Sequence, residues 1–367
     1  MSAVDWSPVA VDGVARTGVM STPHGDVATP NFMPVGTRAT VKTMDVEDLR
    51  TVGAAIVLAN TYHLMLRPGE DVVSNLGELH GFMAWDGPIL TDSGGYQVLS
   101  LSPKINEEGL VFRSTYDGAR VDLTPERAVA VQEKLGSDIA MVLDVPVPLP
   151  STYPVAEEAM HRTRRWAERA LAAKQRDDRA LFGIVQGGAE PDLREQAAKD
   201  IAALGFPGFG IGGLAVGETA DERNAALDAT VPHLPPEGVR YVMGLGDTEG
   251  MLDAVARGVD LFDCVIPTRL ARHGKALTRR GDISIKRAEW TNDDTPIDES
   301  CSCLTCRRHS RGYLRHLFTT NEPLSDRLLT LHNLTYTFDL LRGAREAIAE
   351  GRFAGYHTSV TAARTGE

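Results

Sequence analysis

Three aspartates are the first residues with chemistry in them. Asp92 follows the apolar run 89–91, Asp144 follows the run 139–143, and Asp263 lies inside an apolar stretch between Phe262 and Cys264. A carboxylate held at a strand end can attack an anomeric carbon, move a proton to a leaving group, or accept the N–H groups of a ligand. Retaining glycosyl transfer needs two such groups, one nucleophilic and one acid/base. Asp92, before Ser93-Gly94-Gly95, also suits a turn, and Asp144 also suits a loop cap before a proline-rich stretch. Asp263 is harder to assign that way, because an acid within an apolar run costs free energy unless it has a role or a partner. Gln186 adds a donor and an acceptor of the kind that reads a base edge. Gly212 and Gly213 allow close backbone approach to a flat ligand, and Tyr96 and Met243 are candidates to cover its two faces. On residue chemistry alone, this set describes an enzyme acting on a glycosidic bond or a polar heterocycle.

A second constellation is Cys301-x-Cys303-x-x-Cys306. Three thiols within six residues, in a chain with only one other cysteine (Cys264), point to a metal rather than to disulfides. Tetrahedral zinc needs a fourth ligand. The candidates are His309, His316 and His332. His309 falls on the same turn as Cys306, whereas His332, in a predicted helix, can close the site from outside, so His332 is the expected fourth ligand. Four protein ligands leave no open position for water, so one structural Zn2+ per chain is expected.

Charge is distributed unevenly. The formal net charge is −12, which on its face argues against a nucleic-acid binder. Between 269 and 287, however, the chain carries Arg269, Arg272, Lys275, Arg279, Arg280, Lys286 and Arg287 against one acid, Asp282, and Arg307, Arg308, Arg311 and Arg315 follow. A basic face on an acidic body can still grip phosphates.

These residues need elements to hold them. Short apolar runs recur at 32–35, 55–59, 89–91, 139–143, 181–185, 208–211, 240–243 and 261–265. Amphipathic stretches with helical spacing lie between many of them, at 155–174, 193–204, 220–231 and 248–257. Eight strands alternating with helices predict an α/β protein, a (β/α)8 TIM barrel. Asp92, Asp144, Gln186-Gly187-Gly188, Gly212-Gly213, Gly244 and Asp263 all fall at strand ends, which in such a barrel open on one mouth. Past 267 the alternation stops. Residues 1–267 are therefore expected to form the catalytic barrel with an N-terminal extension. Residues 268–367 are expected to form an inserted or C-terminal zinc-binding subdomain, with a hairpin at 274–285 and a helix near 325–349 completing the barrel. The chain has 367 residues, 43% hydrophobic and 24% charged, the profile of a globular protein. No apolar run approaches the roughly 18–20 residues of a membrane span, and no signal-peptide pattern opens the sequence. A cytoplasmic location is expected.

Four segments together resemble the tRNA-guanine transglycosylases of the queuine tRNA-ribosyltransferase family, in its compact bacterial form. They are Thr91-Asp92-Ser93-Gly94-Gly95-Tyr96-Gln97, Gly183-Ile184-Val185-Gln186-Gly187, Gly212-Gly213-Leu214-Ala215-Val216-Gly217-Glu218 and Phe262-Asp263-Cys264-Val265-Ile266-Pro267-Thr268-Arg269. The cysteine cluster and His332 fit the same family's zinc site, and the similarity runs over nearly the whole chain. The resemblance implies exchange of guanine at the anticodon wobble position for a 7-deazaguanine, in queuosine biosynthesis. It makes Asp263 the nucleophile of a double displacement through a covalent RNA–Asp intermediate, and Asp92, with Ser93 beside it, the acid/base and a base contact. Asp144 takes the amidine edge of the base, Gln186 and the Gly213 N–H its carbonyl side, and Tyr96 and Met243 its faces. The Leu214 carbonyl, with Val216 and Glu218, suits a 7-aminomethyl group (preQ1), while queuine and a 7-cyano base stay open. Arg269, Arg272 and Lys275 are then expected on the anticodon loop of tRNAs reading G-U-N, and a homodimer is expected. One departure stands out: family members usually follow the base-binding aspartate with Glu-Cys, where this chain has Val145-Pro146. Two rivals are weaker. A sugar-cleaving barrel leaves the cysteine cluster and the basic stretch unexplained, and a non-catalytic RNA-binding paralogue would have lost the nucleophile or the Asp-Ser-Gly-Gly motif, both intact here.

Overall fold

In the computed structural model, which describes residues 3–214 and 217–366, eight parallel strands close into a barrel in strict chain order. They are Asn31–Gly36, Val57–Ala59, Ile89–Thr91, Ile139–Met141, Ala180–Val185, Gly208–Ile211, Val239–Val242 and Leu261–Cys264. The last pairs with the first, Leu261 opposite Asn31 and Asp263 opposite Met33. Every residue of the second to seventh strands is buried, as expected where helices cover a parallel sheet on the outside and side chains fill its inside. The predicted barrel is therefore present, with all eight predicted strands found within one or two residues of their expected bounds.

The helices start where local chemistry lets them. Thr124 caps the helix Pro125–Leu135 by accepting from the Arg127 N–H at 3.2 Å, and proline takes its first position, where no N–H is needed. The helix Pro191–Ala202 opens in the same way on proline. Gly136 ends the former with φ +74°, a left-handed cap for which glycine is suited.

Two small sheets have no counterpart in the sequence reading. Strands Asp5–Asp12, Ala15–Thr22 and Gly25–Thr29 form one. It lies against the end of the barrel where the strands begin: the Arg16 guanidinium bonds Asp260, just before the eighth strand, and the carbonyl of Gly238, just before the seventh. His24 and His80 stack on each other and both reach the buried Asp138, before the fourth strand. The second sheet, Lys104–Ile105, Leu110–Arg113 and Arg120–Leu123, follows the third strand and packs with Tyr62, Val145 and Trp166 in a satellite apolar cluster.

The alternation ends within the helix Ile266–Arg272. A short hairpin follows, Lys275–Ala276 with Ile283–Ser284, then the cysteine segment and the helix Pro323–Ala349. That long helix packs on the helix Ile266–Arg272 and on the first barrel strand. It thus covers the seam between the last helix of the alternation and the first strand. A further helix, Phe353–Thr365, folds back on it.

Candidate active site

The strand ends opposite the N-terminal sheet open on one cavity of about 510 Å³. Asp92, Ser93, Tyr96, Asp144, Gly212, Gly213, Leu214, Met243, Asp263 and Arg269 all line it. Gln186 is buried just behind and donates from Nε2 to Asp144 Oδ2 at 2.6 Å. Residues more than 170 positions apart in sequence are thus brought to one mouth by the barrel, as the phase of their strand ends predicts. Glu218 is placed differently. It lines a second cavity of about 190 Å³ together with Leu149, Gly188, Glu190, Gly217 and Glu222. Val216 lies outside the described residues.

Each carboxylate is fixed by its own donors. Asp92 Oδ1 accepts the Thr61 N–H at 2.9 Å, and Oδ2 accepts from Asn60 Nδ2 and, at 3.0 Å, from Gln97 Nε2. Asp263 Oδ1 accepts both the Tyr241 hydroxyl, at 2.5 Å, and the Gly244 N–H, at 2.7 Å. Gly244 has φ +80°, a left-handed turn that aims its N–H at the carboxylate. Tyr241, Asn60, Thr61 and Gln97 hold these carboxylates and were not singled out as site residues from the sequence. Asn60-Thr61 was detectable, as a polar pair closing an apolar run. Tyr241 was not, because it sits inside a strand among residues equally buried.

Burial dominates the electrostatics. It raises Asp92 to about 6, with the Asp263 charge adding to the effect and the Asn60, Thr61 and Gln97 donors opposing it. Burial likewise raises Asp144 to about 6, against the Gln186 donor and with the Asp92 charge. Asp263 is raised by burial and held back by Tyr241 and Gly244. A carboxyl raised in this way can give and take a proton closer to neutrality than an exposed one.

Glycine is needed on the cavity wall at 212 and 213. A Cβ on Gly212 would stand 2.6 Å from Gln186 Nε2, and one on Gly213, at φ +69°, would stand 2.5 Å from Gln186 Oε1. Tyr96 is 61% exposed at the rim, free to lie over a flat ligand. Of the basic residues, Arg269 reaches the cavity rim, Arg272 Nη1 bonds the Thr268 carbonyl at 2.8 Å, and Lys275 pairs with Asp282 at 3.1 Å.

Away from the mouth, Cys301, Cys303, Cys306 and His332 converge. His332 Nδ1 lies 3.7, 3.6 and 3.3 Å from the three sulfurs in that order, and the four donor atoms lie within 4.8 Å of one another. Ordinary zinc bond lengths place S and N ligands of one tetrahedral ion about 3.6 Å apart, so this donor set could hold a single metal ion. His332 Nε2 lies 2.8 Å from the Leu277 carbonyl, which fixes the ring with Nδ1 toward the sulfurs. His309 instead stacks on Tyr313.

A family model described as queuine tRNA-ribosyltransferase matches residues 12–366. Among similar curated proteins, one from Herpetosiphon aurantiacus is 53% identical over 347 residues, covering 94% of this chain and 88% of its own. Another from Desulforamulus reducens is 51% identical over 344 residues, covering 93% of each chain. A third, from Listeria innocua, is 51% identical over 361 residues, covering 97% of this chain and 95% of its own. All three carry the name queuine tRNA-ribosyltransferase.

Proposed function

The chain belongs to the queuine tRNA-ribosyltransferase family, and from that membership we propose that it is a tRNA-guanine transglycosylase, a pentosyltransferase of queuosine biosynthesis. The observation that carries the reading is three carboxylates from three strand ends, Asp92, Asp144 and Asp263, facing one cavity beside a glycine pair.

Both donors to Asp263 fall on Oδ1, which leaves Oδ2 as the attacking atom. In the first displacement Oδ2 bonds to C1′ of the wobble nucleotide as the bond from C1′ to guanine N9 breaks. Asp92, whose protonated form burial favours, gives its proton to the leaving guanine. In the second, the incoming base returns a proton to Asp92, its N9 bonds to C1′, and the ester to Asp263 breaks. Protons and bonds balance over the cycle, and the anomeric configuration is retained. Asp144 receives the N1–H and 2-amino group, while Gln186 and the Gly213 N–H meet the carbonyl edge. A base lacking these groups leaves buried donors and acceptors unpaired, which is the basis of selection. The wobble base must leave the anticodon stack to enter. Arg269, Arg272 and Lys275 then lie on the loop phosphates of a tRNA with a G-U-N anticodon.

For the incoming base we propose preQ1. The Leu214 carbonyl, at the wall of the base cavity, would accept from a 7-aminomethyl group, and Pro146, in place of the family's usual cysteine, forms part of the same wall. The four-ligand site is proposed to hold one structural zinc ion. The protein is proposed to act as a homodimer in the cytoplasm, where its thiols stay reduced.

The test is exchange of radiolabelled guanine into unfractionated tRNA, comparing the metal-loaded protein with Asp263→Asn. Incorporation by the former and a loss of at least about a thousandfold in the latter are expected. No incorporation by the intact protein would overturn the reading.

A further inference from the structure

Behind the base cavity lies a buried cation that the reaction does not use. Arg194, on the helix Pro191–Ala202, has no exposed surface. Its sequence neighbourhood is an ordinary amphipathic helix, and no carboxylate is within ion-pairing distance of it among the described residues. Its partners are backbone carbonyls. Nε donates to Gly188 O at 2.8 Å, and Nη1 donates to Gly212 O at 2.8 Å and, at 3.4 Å, to Val185 O. Glu218 supplies opposing charge from a distance. Nη2 has no hydrogen-bond partner among the described residues and would lie 3.3 Å from a Cβ on Gly213.

The two strongly held carbonyls belong to the two turns that carry the recognition groups. Gly188 closes the Gln186-Gly187-Gly188 turn, and Gly212 precedes Gly213. A peptide unit is planar and trans, so the carbonyl of Gly212 and the N–H of Gly213 point in opposite directions from one rigid plane. Drawing that carbonyl back toward Arg194 turns the Gly213 N–H outward, to the side where Gly212 and Gly213 line the cavity. The glycines complete the device. At Gly187 (φ +138°) a Cβ would stand 2.9 Å from the Arg194 backbone nitrogen, so only glycine lets the helix start come this close.

From this geometry we propose that Arg194 is a positioning residue for base selection, which holds the Gly212–Gly213 peptide and the Gln186 turn in register so that their donors meet the carbonyl edge of the bound base. Burying a cation is costly, and carbonyls compensate it only in part. That cost is tolerated here because a guanidinium, with donors in a fixed fork, can hold two turns at once. A lysine can hold one.

The inference rests on the transglycosylase reading, so its test uses direct binding as well as turnover. Calorimetric titration of guanine into the full-length, metal-loaded protein is compared for wild type, Arg194→Lys and Arg194→Gln. Steady-state KM values for guanine and for tRNA are measured alongside. The expected result is guanine binding weakened at least about tenfold in Arg194→Gln, KM for guanine rising in parallel, KM for tRNA within about twofold of wild type, and Arg194→Lys intermediate. Guanine affinity in a folded variant equal to that of wild type would overturn the inference, as would equal rises in both KM values. If Arg194→Gln does not fold, Arg194→Lys carries the test alone, with the same two criteria. Absence of guanine binding by wild type would instead overturn the transglycosylase reading itself.

Discussion

At the scale of single residues, the site holds carboxyl groups against their preference for water. Asp144 has a folded-state pKa of about 6, raised chiefly by burial, whereas an exposed aspartate titrates near about 3.9. Between these values the folded chain holds more protons than the unfolded one, so stability falls as pH rises through the window, and above about 6 the whole penalty stands. Replacing Asp144 with Asn removes the buried charge. In urea unfolding at pH 8 we expect the variant to be more stable than wild type by on the order of 1–3 kcal/mol, with the difference gone by about pH 4, although base exchange is lost. A variant less stable than wild type at pH 8 would show that Asp144 is compensated rather than strained. The same physics explains what the sequence disclosed at this scale. Acids placed after apolar runs were legible because such placement is costly. Asn60 and Tyr241 were not legible as partners of Asp92 and Asp263, because they act across strands and nothing local marks a long-range contact.

At the scale of elements, the eight strands were readable from apolar runs alone, because a parallel sheet covered on both sides needs no alternation. The N-terminal sheet was not. Its first strand buries Trp6, exposes Ser7, Pro8 and Val9 in a row and leaves Val11 largely in water as well, so its only strong marker is pairing with neighbours. The cysteine segment was legible from spacing, and its histidine became unambiguous only when the long helix carried His332 to the sulfurs. Removing the metal should act on this element and not on the chemistry. After chelation we expect hydrogen exchange to quicken around 297–310 and at the His332 turn, a lower melting temperature, and guanine binding at the barrel mouth retained. A zinc content near zero in the purified protein, with melting unchanged by chelator, would refute the assignment.

At the scale of the whole molecule, charge and topology do different work. The body is acidic, and the proposed tRNA contact falls on the basic stretch that follows Asp263. Substituting Arg269 and Arg272 together should weaken tRNA binding at low salt and flatten the dependence of log K on log salt by about one for each phosphate no longer neutralised. An unchanged slope would take these residues out of the RNA interface. Topology has a consequence of another kind. The strand bearing Asp263 pairs on one side with the strand Asn31–Gly36, made more than two hundred residues earlier, and the helix Pro323–Ala349 that packs on this seam comes later still. While the chain is being synthesised, the growing sheet therefore keeps an open edge at its first strand, exposing unpaired N–H and C=O groups and an apolar flank. The strand bearing Asp263 is the one that seals the sheet. A ribosome that stalls before it leaves a sheet prone to sticking to other chains and to capture by chaperones, so synthesis of the last barrel strand is also the step that removes the sheet's sticky edge.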